Sequence, residues 1–351
     1  MNTLGHNLRL TTFGESHGSA MGGILDGIPS CVHLDMTEIR RMIDRRRTGR
    51  SPLTSQRHEA DIPEILSGIS PDGETLGTPI GFIFRNTDAR SSDYGDLATR
   101  YRPNHADFTY DLKYGIRDHR GGGRASARET VNWVMGGALT MQWLKTLGIT
   151  IEARLTACGD AGYANVFSGV ILDPEGGSIP YDEATERLME AKVEEARRNT
   201  DSTGGRVSCI IKGVPAAIGS PVFGKTQARL AEAMMSLNAV KAFEYGLGME
   251  AAGMRGSECM DLFNPGFSPS PMATDSHGGI LGGITTGMPL FFNVFFKPTP
   301  TIARKLPMPD RDGEIADITV GGRHDPCVAM RAPVIVEALA ALTIGDLILA
   351  R

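Results

Sequence analysis

The sequence is poor in the features that mark disulfide-built, membrane-spanning or nucleic-acid-coating proteins. Its five cysteines, Cys31, Cys158, Cys209, Cys259 and Cys327, are odd in number, widely spaced and free of any C-x-x-C pair. Neither a disulfide framework nor a zinc site is expected from them. No H-E-x-x-H or comparable ligand spacing occurs, so no metal is expected. No apolar run approaches the roughly 18 residues of a membrane span. The segment after Met1 alternates instead of forming the apolar core of a secretory signal, which makes the cytoplasm the expected compartment. Positive charge is not in excess: 36 Lys and Arg face 41 Asp and Glu, a net charge of -5. A broad basic field for nucleic acid or a membrane surface is thereby excluded.

Glycine is what the chain has in abundance. It holds 43 in 351 residues, about 12% against roughly 7% in average usage. Few of them fall in low-complexity tracts, so many backbone positions require glycine. Hydrophobic residues at 41% and charged residues at 22% are those of a folded chain. The length allows one large domain or two ordinary ones, and 1–351 is read as one. The glycines also reveal a repeat. Glu15-Ser-His-Gly-Ser-Ala-Met-Gly-Gly-Ile-Leu-Asp-Gly-Ile-Pro29 aligns without a gap on Asp275-Ser-His-Gly-Gly-Ile-Leu-Gly-Gly-Ile-Thr-Thr-Gly-Met-Pro289. A fainter echo joins Gly123-Arg124 and Gly322-Arg323, each just ahead of a long helical pattern. The spacing excludes a short-period solenoid. It fits either an internal duplication within one domain or a tight strand connection that recurs.

Alternation and β-rich composition predict strands at 8–13, 79–84, 207–211 and 290–296, and helical spacing runs over 37–47, 125–147, 181–198, 224–236 and 326–349. Strands and helices are therefore mixed. Stretches 86–124 and 254–275 read as loops, and loops of that length are usually functional or disordered. The first holds Arg90, Arg100, Arg102, His105, Arg117, His119 and Arg120, which favours function.

Four segments have the chemistry of anion binding. Arg40, Arg41, Arg45, Arg46, Arg47, Arg50 and Arg57 are opposed only by Asp44 within their stretch. Guanidinium forks match phosphate and carboxylate, so the cluster reads as an anion site at a helix end, against the alternative of a solvated helix face. Gly121-Gly-Gly-Arg-Ala-Ser126 precedes a helical pattern, where exposed amides bind phosphate. It follows no strand and is no Walker sequence, so neither a nucleotide triphosphatase nor a Rossmann domain is supported. Lys297-Pro-Thr-Pro-Thr301 and Gly322-Arg-His-Asp-Pro326 are two further polar, conformationally fixed loops, each readable alone as an ordinary turn. His17 and His105 sit in polar, glycine- or proline-flanked segments and could exchange protons near neutral pH. Gly14-Glu-Ser-His-Gly18 departs from G-x-S-x-G, which disfavours a serine hydrolase.

Thr11-Thr-Phe-Gly-Glu-Ser-His-Gly18, Phe108-Thr-Tyr110 with Lys113-Tyr-Gly-Ile-Arg-Asp-His-Arg-Gly-Gly-Gly-Arg124, Ala127-Arg-Glu-Thr130, 235–241 and Gly322-Arg-His-Asp-Pro-Cys327 occur in the order and spacing of the chorismate synthase family. The chain resembles that family over nearly its whole length. The resemblance implies an anti 1,4-elimination of phosphate from 5-enolpyruvylshikimate 3-phosphate to give chorismate. It requires reduced FMN without net redox change, with NADPH as a candidate reductant. His17 would be the general acid at the departing phosphate. His105 would offset charge on the reduced flavin, and Asp325 would work with flavin N5 in removing the ring proton. Ser16 and Ser126 would be hydrogen-bonding partners. The positions implied for FMN are Arg124, Ala125, Ser126, Asn238, Ala239, Gly282, Lys297, Pro298, Thr299, Pro300, Thr301 and Arg323. Arg46, with Arg45, Arg50 and Arg57, would hold substrate or a nicotinamide nucleotide. Ala125, Ala242, Asp275 and Pro52 depart from the family's usual serine, glycine, asparagine and arginine. The implied fold is α+β, a layered sandwich of long central helices between two antiparallel sheets, internally duplicated and assembled as a homotetramer. The rival readings are an NAD(P)H-dependent flavin reductase without elimination activity and, more weakly, an RNA binder using 40–57; no nucleic-acid or membrane partner is expected.

Overall fold

A computed structural model of the chain describes residues 1–49, 60–86, 98–119, 121–173, 177–319 and 325–351. The first glycine-rich segment is a strand pair. β1 (Thr3–Leu4), β2 (Arg9–Gly14), β3 (Ala20–Asp26), β4 (Pro63–Ile65) and β5 (Ile80–Arg85) form an antiparallel five-stranded sheet in the order β1-β2-β3-β5-β4. β2 alternates, with Leu10 and Thr12 buried and their neighbours exposed, so one face of this sheet lies on the core.

A second antiparallel sheet runs in the order β7-β6-β8-β12-β9, from β6 (Thr150–Cys158), β7 (Ala161–Gly162), β8 (Gly205–Lys212), β9 (Val240–Tyr245) and β12 (Leu290–Phe296). Two small hairpins stand apart, β10 (Ile280–Leu281) with β11 (Ile284–Thr285) and β13 (Lys305–Pro309) with β14 (Ile315–Thr319). β12 is buried along nearly its whole length. Its Phe291 turns away from the main core to pack with Val166, Phe167 and Val170 in a cluster of their own, and two-sided burial explains its continuous apolar run.

The helices are α1 (Met36–Arg46), α2 (Asp107–Tyr114), α3 (Thr130–Thr146), α4 (Ser168–Leu172), α5 (Glu183–Arg198), α6 (Thr226–Met235) and α7 (Pro333–Leu349). α3 and α7 pack on each other; α3 also meets β2 and β3 of the first sheet, and α7 meets β6 and β8 of the second. Both are apolar around their circumference, as helices covered on all sides must be. Gly137 of α3 lies against Ala338 of α7, where a methyl group would stand 2.3 Å from the alanine Cβ. The two buried acids of α7 are partnered. Asp346 accepts the backbone N–H groups of His6, Asn7 and Leu8, and Glu337 takes a two-pronged bond from Arg45 at 2.6 and 2.9 Å. No helix among the described residues is long and apolar enough to cross a membrane.

Two expectations change. The stretch 86–124 is not loop throughout, because α2 stands inside it, closed by Gly115 in the left-handed conformation. The repeated glycine segment keeps its turn but not its continuation. Gly18 N–H reaches Glu15 O at 2.9 Å, and Gly278 N–H reaches Asp275 O at 3.1 Å. Beyond that turn the first copy runs straight on as β3, whereas Gly282 and Gly283 take φ of +60° and +94° and bend the second into the β10–β11 hairpin.

Candidate active site

Arg46 ends α1 on the same stripe as Ile39, Met42 and Ile43, the buried face of that helix. Asp35 fixes where the helix starts, its carboxylate accepting the Thr37 N–H at 2.7 Å. One residue earlier in the turn, Arg45 points to α7 and Glu337. Adjacent arginines thus serve different surroundings, and Arg45, expected at substrate, pairs with Glu337.

Arg46 opens onto a cavity of about 390 Å³. Six segments converge there: 46–48, 102–106, 122–128, 238–239, 297–301 and 325–331. Of the residues expected from the sequence, it gathers Arg46, His105, Ala125, Ser126, Asn238, Ala239, Lys297, Thr299, Pro300, Thr301 and Asp325. Arg102, Arg128 and Arg331 join them, so five cationic side chains and one carboxylate of the described residues line the space. The wall includes the short 3-10 turns that lead into α3 and α7, whose partial positive ends add to the field.

The cations are crowded. Asp61, 2% exposed, binds Arg46 Nη2 at 2.8 Å on one oxygen and Arg128 Nη1 on the other. Burial opposes its ionisation, yet the two guanidinium groups hold its carboxyl below the ordinary value. Burial, reinforced by repulsion from Arg331 and Arg128, pushes Arg46 down to about 10 in spite of Asp61. Asp325 receives Arg331 Nη2 at 2.7 Å. Burial and nearby Lys241 lower Lys297, whose Nζ donates to Asn104 O at 2.9 Å. Ala239 is held at φ +68°, a backbone position that alanine keeps only under constraint, whereas Asn104 at +57° is of a type that tolerates it.

His105 lines this cavity and also a larger one of about 810 Å³. Arg124 and Glu15 belong to the larger space. Arg124 binds Glu129 at 3.1 Å and Thr12 Oγ1 at 2.8 Å, while burial raises the carboxyls of Glu15 and Glu129. His17 and Ser16 lie against Gly121, the His17 Nδ1 and Ser16 Oγ each 3.0 Å from where a Cβ on that glycine would stand. Gly121 lines the larger cavity. Pro298 and Gly282 line neither cavity, and Gly282 is exposed in the β10–β11 turn. Arg50, Arg57 and Arg323 lie outside the described residues.

Asp61 and Asp107, each behind a row of cations, were not candidates on sequence grounds. Arg128 stood in a quoted motif and Arg102 in the basic stretch 86–124, so their types and positions were available. Nothing short of the fold pairs Asp61 with both Arg46 and Arg128.

Residues 8–349 match the family model described as chorismate synthase. The chain belongs to the chorismate synthase family. It is 46% identical to the chorismate synthase of Christiangramia forsetii over 350 residues, covering 98% of this chain and 96% of the relative. It is equally 46% identical to that of Porphyromonas gingivalis, covering 100% and 96%. A solved structure titled as the crystal structure of chorismate synthase matches with a TM-score of 0.75 at 29% identity, covering 99% of this chain and 92% of the other. Members of the family are phosphate-eliminating lyases, and the family implies a reduced-flavin requirement.

Proposed function

We propose that this chain converts 5-enolpyruvylshikimate 3-phosphate to chorismate and phosphate by anti 1,4-elimination in the 390 Å³ cavity. The observation that carries the reading is the wall of five cations around a single carboxylate, Asp325, among the described residues. A substrate with a phosphate and two carboxylates needs such a field to bind, and the same field stabilises the charge that grows on phosphate as it leaves. Arg46, Arg128 and Arg331 are the anion-holding groups. Asp325, oriented by Arg331, is the acceptor for the ring proton. His17 donates a proton to the departing phosphate; its support is the family pattern and its position beside Gly121, next to Gly122, which lines both cavities.

The residues present fit a flavin nucleotide. Asn238 Oδ1, Thr299 Oγ1, Arg46 Nε, Arg128 Nη2 and Arg331 Nε are buried without a hydrogen-bond partner among the described residues, a mixed set of acceptors and donors at one cavity that a polar ligand would satisfy. Ala125, Ser126, Asn238, Ala239 and 297–301 would hold FMN, with His105 beside it. When bound, reduced FMN supplies an electron-rich ring that lets a poor leaving group depart. The same reading includes a single domain, a layered sandwich with internal duplication, a cytoplasmic location and a homotetramer. The recurring Glu15–Gly18 and Asp275–Gly278 turns support duplication. Exposed Phe108, Leu112 and Ile116 support assembly.

Anaerobic incubation with reduced FMN and the enolpyruvyl phosphate tests the proposal. Chorismate and phosphate should appear in equal amounts. NADPH oxidation with neither product would favour the flavin reductase reading. His17→Ala should lose elimination while FMN still binds; loss of FMN binding instead would show His17 to be misassigned.

A further inference from the structure

Two of the five thiols meet. Cys158 Sγ and Cys327 Sγ stand 3.9 Å apart, one at the end of β6 and the other two residues after Asp325. Both are buried, at 0% and 1% exposure, and both are free thiols. Their backbones are brought together because β6 and β8 pack directly on the 3-10 turn at Val328–Arg331 that follows Cys327. The two sides differ in stiffness. Cys158 is held in the sheet, paired with Ala161 of β7 and Gly205 of β8. Cys327 lies outside any strand; its Sγ approaches Gly204 O at 3.6 Å, and the neighbouring Pro326 O accepts the Thr203 N–H at 2.8 Å. The bond from the Cys158 thiol holds Cys327 below its ordinary value, helped by the N–H groups of Ala329 and Met330 and opposed by burial. The same bond, with burial, pushes the Cys158 thiol up. Cys327 is therefore the readier thiolate and Cys158 the thiol beside it.

We propose that Cys158 and Cys327 are joined as a reversible disulfide by a hydroperoxide oxidant, and that the bond displaces Asp325 and slows elimination. The Cys327 thiolate attacks one peroxide oxygen, the O–O bond breaks, and a sulfenic acid forms as hydroxide leaves. The Cys158 sulfur then attacks that sulfur, and its proton leaves with the hydroxyl as water. The hydroxide takes up the proton that Cys327 had lost, so two thiols give up two electrons and one hydrogen peroxide becomes two waters. The opposite order of attack gives the same product. Disulfide sulfurs sit about 2.05 Å apart, so the present 3.9 Å must close by about 1.9 Å. Strand pairing holds Cys158, so the movement falls on 325–327 and draws Asp325 from Arg331, now 2.7 Å away. A displacement of about 1 Å at a reacting group can cost on the order of 100-fold. In a reducing compartment such a bond is transient and reports oxidation, a different role from a structural disulfide framework. The effect on turnover rests on the placement of Asp325 in the elimination site.

The test treats the full chain with graded hydrogen peroxide, maps its cysteine peptides by mass spectrometry without reduction, and measures turnover with photoreduced FMN, which adds no thiol. The expected result is a Cys158–Cys327 peptide pair two hydrogens lighter than the separate peptides. Turnover should fall on the order of 100-fold and return after dithiothreitol. Cys158→Ala, which keeps Cys31, Cys259 and Cys327, should turn over normally before peroxide. With no second thiol to capture the sulfenic acid, its Cys327 should go on to sulfinic acid, and dithiothreitol should not restore what is lost. Wild-type Cys158 and Cys327 left as thiols, or converted to sulfinic acids without a cross-link, would overturn the inference whether or not the variant folds. A cross-link that leaves turnover intact would do the same, as would a loss in Cys158→Ala that dithiothreitol fully reverses. Absence of turnover in the reduced wild type would instead refute the elimination reading, an outcome that the peptide map keeps separate.

Discussion

Asp61→Asn is the most demanding test of the site's electrostatics. One carboxylate bridges two guanidinium groups there, and Arg46 and Arg128 are 2% and 5% exposed. The amide keeps the volume, loses the charge and offers one acceptor where two were needed. Breaking a buried pair from one side costs about 3 to 5 kcal/mol, and no discount for solvent screening applies to groups this deep. At roughly 2 °C per kcal/mol for a chain of this size, unfolding should come about 6 to 10 °C earlier. The deficit also has a pH signature. The Asp61 carboxyl is lowered from its ordinary 3.8, so its stabilising contribution is complete above that value and lost as the pH falls through the lower folded value. The gap between wild type and variant should hold from pH 5 to 8 and narrow only below about 3.8. Inorganic phosphate should restore more stability to the variant than to the wild type, by replacing the missing anion. Thermal unfolding across this pH range, with and without phosphate, provides the measurement. A deficit under about 1 kcal/mol at neutral pH would refute the reasoning, as would one that stays undiminished below pH 3.

Asp325→Asn should slow turnover while leaving substrate affinity nearly normal, because the arginines that hold the substrate remain; steady-state kinetics with unchanged kcat would remove its proton-transfer role. Arg45→Met should destabilise the fold by about 2 to 4 kcal/mol, through loss of its two bonds to buried Glu337, with KM little changed; a large rise in KM would return Arg45 to the substrate site. Gly137→Ala should cost on the order of 3 kcal/mol in denaturant unfolding, since its Cβ would stand 2.3 Å from that of Ala338 and 2.4 Å from its Cα. Near-neutral behaviour would mean that α3 and α7 separate more readily than their packing indicates.

α1 was legible within a residue at each end, since Ile39, Met42 and Ile43 mark its buried stripe and Asp35 its cap. The same wheel could have separated Arg46 from Arg45, because only Arg46 shares that stripe; a count of arginines hides the difference. β6 escaped notice because its inward positions include Ala153 and Thr156, residues with little hydropathy contrast to their neighbours. α2 was lost inside a loop because it leaves Phe108 and Leu112 exposed, so no apolar stripe announces a buried face. At the site, loop chemistry could be read locally, and many of the residues so read line one cavity. Which residues share a cavity is set by chain segments meeting in space, so the sequence could not show that Arg124 lines the larger cavity and Gly282 neither.

The repeated glycine segment constrains substitution in opposite ways. Gly22 is closed by crowding, for a Cβ there would come within 2.5 Å of Phe82 O and 2.6 Å of the Phe13 ring. Gly282, its counterpart, has nothing within 4 Å and is set only by its φ of +60°. Asparagine, which tolerates that conformation, is admissible at 282 and barred at 22. Identical letters in the two copies are therefore free to drift at different rates, and the likeness should erode first at the hairpin.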